Sequence, residues 1–208
     1  MTDTLTRDAA LAEAASLASG PGRRLLGLTG PPGAGKSTVS AALMAALPAG
    51  SAAVVPMDGF HLAQAELERL GRADRKGASD TFDSAGFVAL LERLRARQDA
   101  VVYAPEFRRE IEEPIACALP VPREVPLLLI EGNYLLLDDG DWARVLPLLD
   151  ACWYVDLDND LRVSRLVARH VAHGRTPAAA QEWVTRSDEA NARVIAATRG
   201  RAQRLVRW

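Results

Sequence analysis

A lysine and a hydroxyl at the end of a glycine-rich turn, two carboxylates that close apolar runs, and a ladder of arginines are the groups here that could do chemistry together. The turn is Gly30-Pro31-Pro32-Gly33-Ala34-Gly35-Lys36-Ser37-Thr38. An apolar run, Arg24 to Thr29, precedes it, and Val39, Leu43 and Leu47 come after it at helical spacing. Gly30-x4-Gly35-Lys36-Ser37 fits a phosphate-binding loop in the strand–loop–helix context that this motif requires. The glycines let backbone N–H groups turn inward around a polyphosphate, and the helix N-terminus adds partial positive charge. Lys36 can reach the β- and γ-phosphates, and the Ser37 hydroxyl can ligate Mg²⁺. The loop therefore predicts binding of a nucleoside triphosphate with Mg²⁺.

The acids stand where such a loop needs them. The run Ala52 to Met57 ends on Asp58-Gly59-Phe60-His61, and Pro126 to Ile130 ends on Glu131. In a parallel sheet, ligands bind beyond the carboxyl ends of the strands. Phosphoryl transfer to an alcohol needs a phosphate cradle, a metal with its ligands, cations on the transferring group and a carboxylate to accept the hydroxyl proton. Asp58 is the candidate base, with Gly59 expected to admit the substrate closely. Glu131 is the candidate acid beside Mg²⁺, and the two roles could be exchanged. Arg162, Arg165 and Arg169 share one helix face, with Leu166, Val167 and Val171 expected to lie away from it. Gly174 and Arg175 come next, so residues 160–176 are expected to form a lid in which Arg165 and Arg169 face the transferring group.

These groups must be positioned by alternating strands and helices. Residues 4–19 read as an Ala-rich helix, 24–29 as a strand, 36–47 as a helix stopped by Pro48, and 52–57 as a second strand. Residues 62–82 are polar and irregular. Phe87, Leu90, Leu91 and Leu94 mark a helix beginning after Asp83-Ser84. Val101-Val102-Tyr103 and Pro114 to Leu119 read as a strand pair flanking the charged segment 106–113. A third strand at 126–130, a helix near 141–149, a fourth strand at 151–155 and a helix over about 160–173 complete the middle of the chain. Thr176-Pro177 should open a helix over about 177–199, and Leu205-Val206 is a weak fifth strand. The alternation predicts one α/β domain over 1–208 with a mainly parallel sheet and an acceptor-side insertion over about 59–120.

The 208 residues are 49% hydrophobic and 25% charged, a globular composition. With a net charge of −2 and a pI near 6.0, no basic field favours nucleic acid or an acidic membrane, and no basic groove with interleaved aromatics occurs. No apolar run approaches the roughly 18 residues of a membrane span, and the N-terminus lacks a secretory pattern, so a cytoplasmic protein is expected. Cys117 and Cys152 have neither metal-ligand nor redox spacing, and both are expected to be buried thiols. Asp74-x-x-Gly77 lacks a preceding apolar strand and no Asn-Lys-x-Asp occurs, which argues against a regulatory GTPase. An ATP sensor or scaffold would have no use for Asp58 and Glu131 as base and metal-side acid. No feature specifies an oligomeric state.

Taken together, GPPGAGKST, MDGFH, the RKG and DTFD segments, YAPEFRREIEEPIA, LLLIEGNYLLL and Arg162-x-x-Arg165-x-x-x-Arg169-His170 with the later Asp188-x-x-Asn191 are familiar. The chain resembles the P-loop kinases that include uridine kinase, bacterial pantothenate kinase and phosphoribulokinase. Within them it is similar to small bacterial kinases labelled nucleoside-kinase-like or fructokinase. The resemblance implies a five-stranded parallel sheet flanked by helices, with a small hairpin and a helical lid. It implies ATP-dependent transfer to a hydroxyl of a small metabolite, with Asp58 catalytic, Glu131 as the acid of the third strand, and Arg165 and Arg169 in the lid. The acceptor stays open between a sugar such as fructose, pantothenate and a nucleoside such as uridine. The hairpin here carries Tyr103, Phe107, Arg108 and Arg109 in place of the Tyr…His pair of uridine kinases. The DGF and RKG segments look more like pantothenate kinase, in a shorter chain. Candidate acceptor contacts are His61, Arg75, Tyr103, Arg108 and Tyr134.

Overall fold

Successive leucines of the central strands point to opposite faces, and each face buries its own set of helices. The structure, a computed structural model, describes residues 3–208. Its first half runs β1 (Asp3–Leu5), α1 (Arg7–Ser19), β2 (Arg24–Thr29), α2 (Lys36–Ala46), β3 (Ala52–Pro56), α3 (Gln64–Arg69) and α4 (Ser84–Ala96). A hairpin of β4 (Val101–Arg108) and β5 (Glu113–Pro122) leads to β6 (Leu127–Glu131) and β7 (Ala151–Val155). The chain ends with α5 (Asn159–Ala172), α6 (Pro177–Trp183), α7 (Glu189–Ala197) and β8 (Arg204–Val206).

Strand order is β1-β8-β7-β2-β6-β3, with every pairing parallel. On one face Leu26, Leu28, Leu127, Leu129 and Trp153 pack against Ala10 and Ala14 of α1 and Val39 and Leu43 of α2. On the other, Leu25, Leu128, Ile130 and Tyr154 pack against Phe87, Leu91 and Leu94 of α4 and Ile195 of α7. Strands buried on both faces explain the near-continuous apolar runs.

Helix starts carry the capping side chains that the sequence offers. Asp83 accepts from the Gly86 N–H at 2.8 Å, Asp158 from the Asp160 and Leu161 N–H groups at 3.1 Å, and Thr176 from Ala179 ahead of Pro177 at 3.3 Å. Each such cap is worth about 1 kcal/mol.

The sheet differs from the five strands expected. Asp3–Leu5, whose last two residues fall in the helix expected over 4–19, forms a sixth strand beside β8. Three residues are too few to display alternation, and their partner lies at the far end of the chain. The expected helix near 141–149 is two short 3₁₀ turns, Gly140–Arg144 and Leu146–Leu148. Pro147 has no N–H to donate and its ring opposes a continuous α-helix there. The long C-terminal helix is divided by a π turn, Val184–Asp188, between α6 and α7. Cys152 is buried as expected, but Cys117 is exposed, with φ of 58° in the hairpin. Among the described residues no helix is long and apolar enough to cross a membrane.

Candidate active site

A cavity of about 800 Å³ opens beyond the carboxyl ends of β2, β3 and β6, between the phosphate-binding loop, the hairpin and α5. The loop residues Gly33 and Gly35 adopt left-handed φ values of 80° and 94°. A Cβ on Gly33 would also lie 2.7 Å from Leu166 Cγ and 2.9 Å from the Arg162 carbonyl, so the loop serves as the seat for α5. Lys36 Nζ donates to the Gly30 and Pro31 carbonyls at 2.9 and 3.3 Å, parked across the cradle.

Burial pushes the Lys36 ammonium down to about 8, an effect partly offset by Glu131 and Asp58. A bound polyphosphate favours the charged form and raises this value again, so binding above pH 8 takes up a proton. Affinity for MgADP should therefore be full below about pH 8 and fall by up to tenfold per pH unit above it. Calorimetric titrations between about pH 7 and 10 read this slope, which should vanish in Lys36→Met.

Ser37 Oγ donates to Glu131 Oε1 at 2.5 Å, and Ser40 Oγ donates to Oε2 at 3.0 Å. The hydroxyl and carboxylate expected to hold the metal are thus already adjacent, and Ser40, one turn along α2, fixes the carboxylate. Hard oxygen donors of this kind suit Mg²⁺, which characteristically binds through one or two protein groups plus phosphate oxygens.

Asp58 lies in the 3₁₀ turn Met57–Phe60 at the end of β3. Its carboxylate makes no hydrogen bond among the described residues; the nearest cation is Arg109, at 3.6 Å. Gly59 does admit a close neighbour, but that neighbour is the hairpin. A Cβ at Gly59 would lie 2.4 Å from the Pro105 carbonyl oxygen. Gly59→Ala should therefore cost about 1–3 kcal/mol in urea unfolding and push the hairpin off the cavity. Acceptor KM should rise in that variant while ADP still binds.

His61 is clamped between Phe82 and Phe107, with ring centroids 4.0 and 4.6 Å away. Its Nδ1–H donates to the Asp58 carbonyl at 2.7 Å, and burial lowers its pKa, so the ring is neutral with Nε2 left as an acceptor.

The arginine ladder divides. Arg162 is 2% exposed, donates to the Pro32 carbonyl at 3.2 Å and pairs with Glu189. With Leu166, which shares its face contrary to expectation, it ties α5 to the loop. Arg165 and Arg169 line the cavity instead. Burial, then the neighbouring Arg109, lowers the Arg169 pKa.

Four candidate acceptor contacts fall outside the cavity lining, and only His61 is within it. Tyr134 is 1% exposed, packs against Phe82 and Trp142, and donates its hydroxyl to the Gly77 carbonyl at 2.6 Å. It supports the wall without meeting the cavity. Arg75 pairs with Asp80, Arg108 donates to Glu106 at 2.9 Å, and Tyr103 is exposed on the outer side of the hairpin. The cavity wall instead includes Lys76, Phe107, Arg109, Asn133, His170, Asp188 and Asn191. Pairing is irregular between Ala104 and Glu106, where β5 carries the extra residues around Cys117, and beyond it Phe107 and Arg109 line the cavity while Arg108 does not.

Residues 25–206 match the Phosphoribulokinase / Uridine kinase family. A crystal structure of a candidate fructose transport system kinase from Silicibacter is 39% identical, with a TM-score of 0.85, over 96% of this chain and 98% of that one. An ATP-dependent kinase-like protein of Aspergillus versicolor is 35% identical over 72% of this chain and 92% of its own length. A candidate uridine kinase of Schizosaccharomyces pombe is 33% identical over 80% of this chain and 74% of its own. With its phosphate-binding loop, strand-end acids and parallel sheet, the chain belongs to the phosphoribulokinase/uridine kinase family of ATP-dependent P-loop kinases.

Proposed function

We propose that the chain transfers the γ-phosphoryl group of ATP to a hydroxyl of a small metabolite, a sugar such as fructose, with Asp58 as the base. The observation that carries this reading is the Asp58 carboxylate, which accepts no hydrogen bond among the described residues, has only Arg109 near it at 3.6 Å, and shares one cavity with Lys36, Ser37 and Glu131. The acceptor O–H gives its proton to an Asp58 carboxylate oxygen, its oxygen bonds to the γ-phosphorus, the bond to the bridging oxygen breaks, and ADP leaves. Lys36 and the loop N–H groups hold the β- and γ-phosphate oxygens, while Arg165 and Arg169 face the charge that develops on the transferring group. Mg²⁺ held by Ser37 and Glu131 would neutralise charge on the phosphate oxygens. The likeness to a candidate fructose transport system kinase supports a sugar acceptor. ADP release measured over sugars, nucleosides and pantothenate tests the reading. Acceptor-dependent ADP formation is expected; equal background hydrolysis with every compound would contradict it.

A further inference from the structure

The segment Asp188-x-x-Asn191 takes no part in the phosphoryl-transfer chemistry, yet both side chains line the cavity. They are 8% and 9% exposed, deep in the wall. The π turn Val184–Asp188, immediately before α7, widens the helix by one residue and sets the rotational phase of α7. Asp188 accepts from His170 Nε2 at 2.8 Å through Oδ2, which leaves Oδ1 uncommitted. The Asn191 carboxamide makes no hydrogen bond among the described residues, yet neither of its polar atoms is sealed from solvent. A polar group this deep is normally partnered. Here water can serve as that partner, and a ligand hydroxyl in the cavity can take its place.

Apart from Arg165 and Arg169, which the proposed reaction sets on the transferring group, the cations of the cavity wall are held by the protein. Lys76 donates to the Glu112 carbonyl at 2.5 Å and to Gln64 at 3.4 Å, Arg109 faces Asp58, and Arg175 stacks on Trp183 with 4.2 Å to the ring centroid. The groups left over beside Asn191 are its own amide, which both donates and accepts, the free His61 Nε2, and Asp188 Oδ1, whose negative charge disfavours an anionic acceptor there. An amide of this kind matches two neighbouring hydroxyls, taking a proton from one and donating to the oxygen of the other.

We propose that Asn191, with Asp188 beside it, binds a pair of hydroxyls on an uncharged polyol, and so selects such acceptors over carboxylated or phosphorylated ones. The proposal rests on the kinase reading and adds the class of acceptor and the residue that reads it.

The test compares ADP release by the full chain with neutral sugars, polyols and nucleosides, with glycerate and pantothenate, and with sugar phosphates. Wild type should turn over a neutral polyol. Asn191→Ala should raise the KM for that acceptor roughly 10- to 100-fold, with the KM for ATP unchanged. The unfolding midpoint should also be unchanged, because Asn191 supports no other residue. Asn191→Asp, which keeps the acceptor oxygen and loses the donor, should fall between the two. Turnover of acidic acceptors alone would overturn the inference and leave the kinase reading intact. Turnover of a neutral polyol with the same KM in both variants would overturn the assignment of Asn191. ATP binding without turnover of any acceptor would overturn the kinase reading, and this inference with it.

Discussion

Asp58→Asn is expected to lower kcat by about 10²- to 10⁴-fold while MgADP binds as in wild type. The asparagine keeps the shape of the carboxylate but has no basic oxygen to take the acceptor proton. The turn that carries Asp58 is fixed by backbone contacts, including the His61 N–H to the Asp58 carbonyl at 3.2 Å, so the substitution leaves the cavity wall in place. Single-turnover rates with saturating acceptor, set against nucleotide affinity by calorimetry, measure the two effects separately. Full turnover in this variant would move the base to another group. Glu131 is the first to examine, since its carboxylate lies on the same cavity.

Lys36→Met should cost about 10²- to 10³-fold in kcat/KM for ATP, because it removes the cation that the proposed reaction sets on the β- and γ-phosphate oxygens. Stability should move the other way or not at all. Lys36 has its pKa lowered by burial, so the folded protein works against its charge, and a methionine of similar length relieves that cost. Unfolding midpoints no lower than wild type, alongside a large loss of activity, are the expected pair of results. A midpoint several degrees lower would instead make Lys36 a structural clamp on the Gly30 and Pro31 carbonyls.

Those two residues are also the most legible in the sequence. The phosphate-binding loop is local, nine consecutive residues whose glycines dictate the turn. Asp58 and Glu131 are nearly as local, each one step past an apolar run, and pairing β3 with β6 brings those strand ends side by side. Legibility fades where position depends on distant partners. The strand Asp3–Leu5 exists because β8, almost two hundred residues later, gives it an edge to pair with. In the hairpin, Arg109 and not Arg108 lines the cavity, a choice made by how the hairpin packs against the rest of the chain and not by residue type. Gly59 signals a close approach correctly in kind, but the partner is Pro105, not a substrate. Tyr134 offers a polar hydroxyl, and its neighbours Phe82 and Trp142 enclose it. Asn191 is visible in the sequence only as part of a motif. The π turn that presents it has no local sequence signature, and its unpartnered amide appears only once the helix is placed.

The fate of the γ-phosphate separates a kinase from every other use of this cavity. With γ-labelled ATP, the wild-type chain and a neutral polyol acceptor, the label should appear in a phosphate monoester of the acceptor, in an amount equal to the ADP formed. Release of the label as inorganic phosphate at the same rate with and without acceptor would contradict phosphoryl transfer to a hydroxyl.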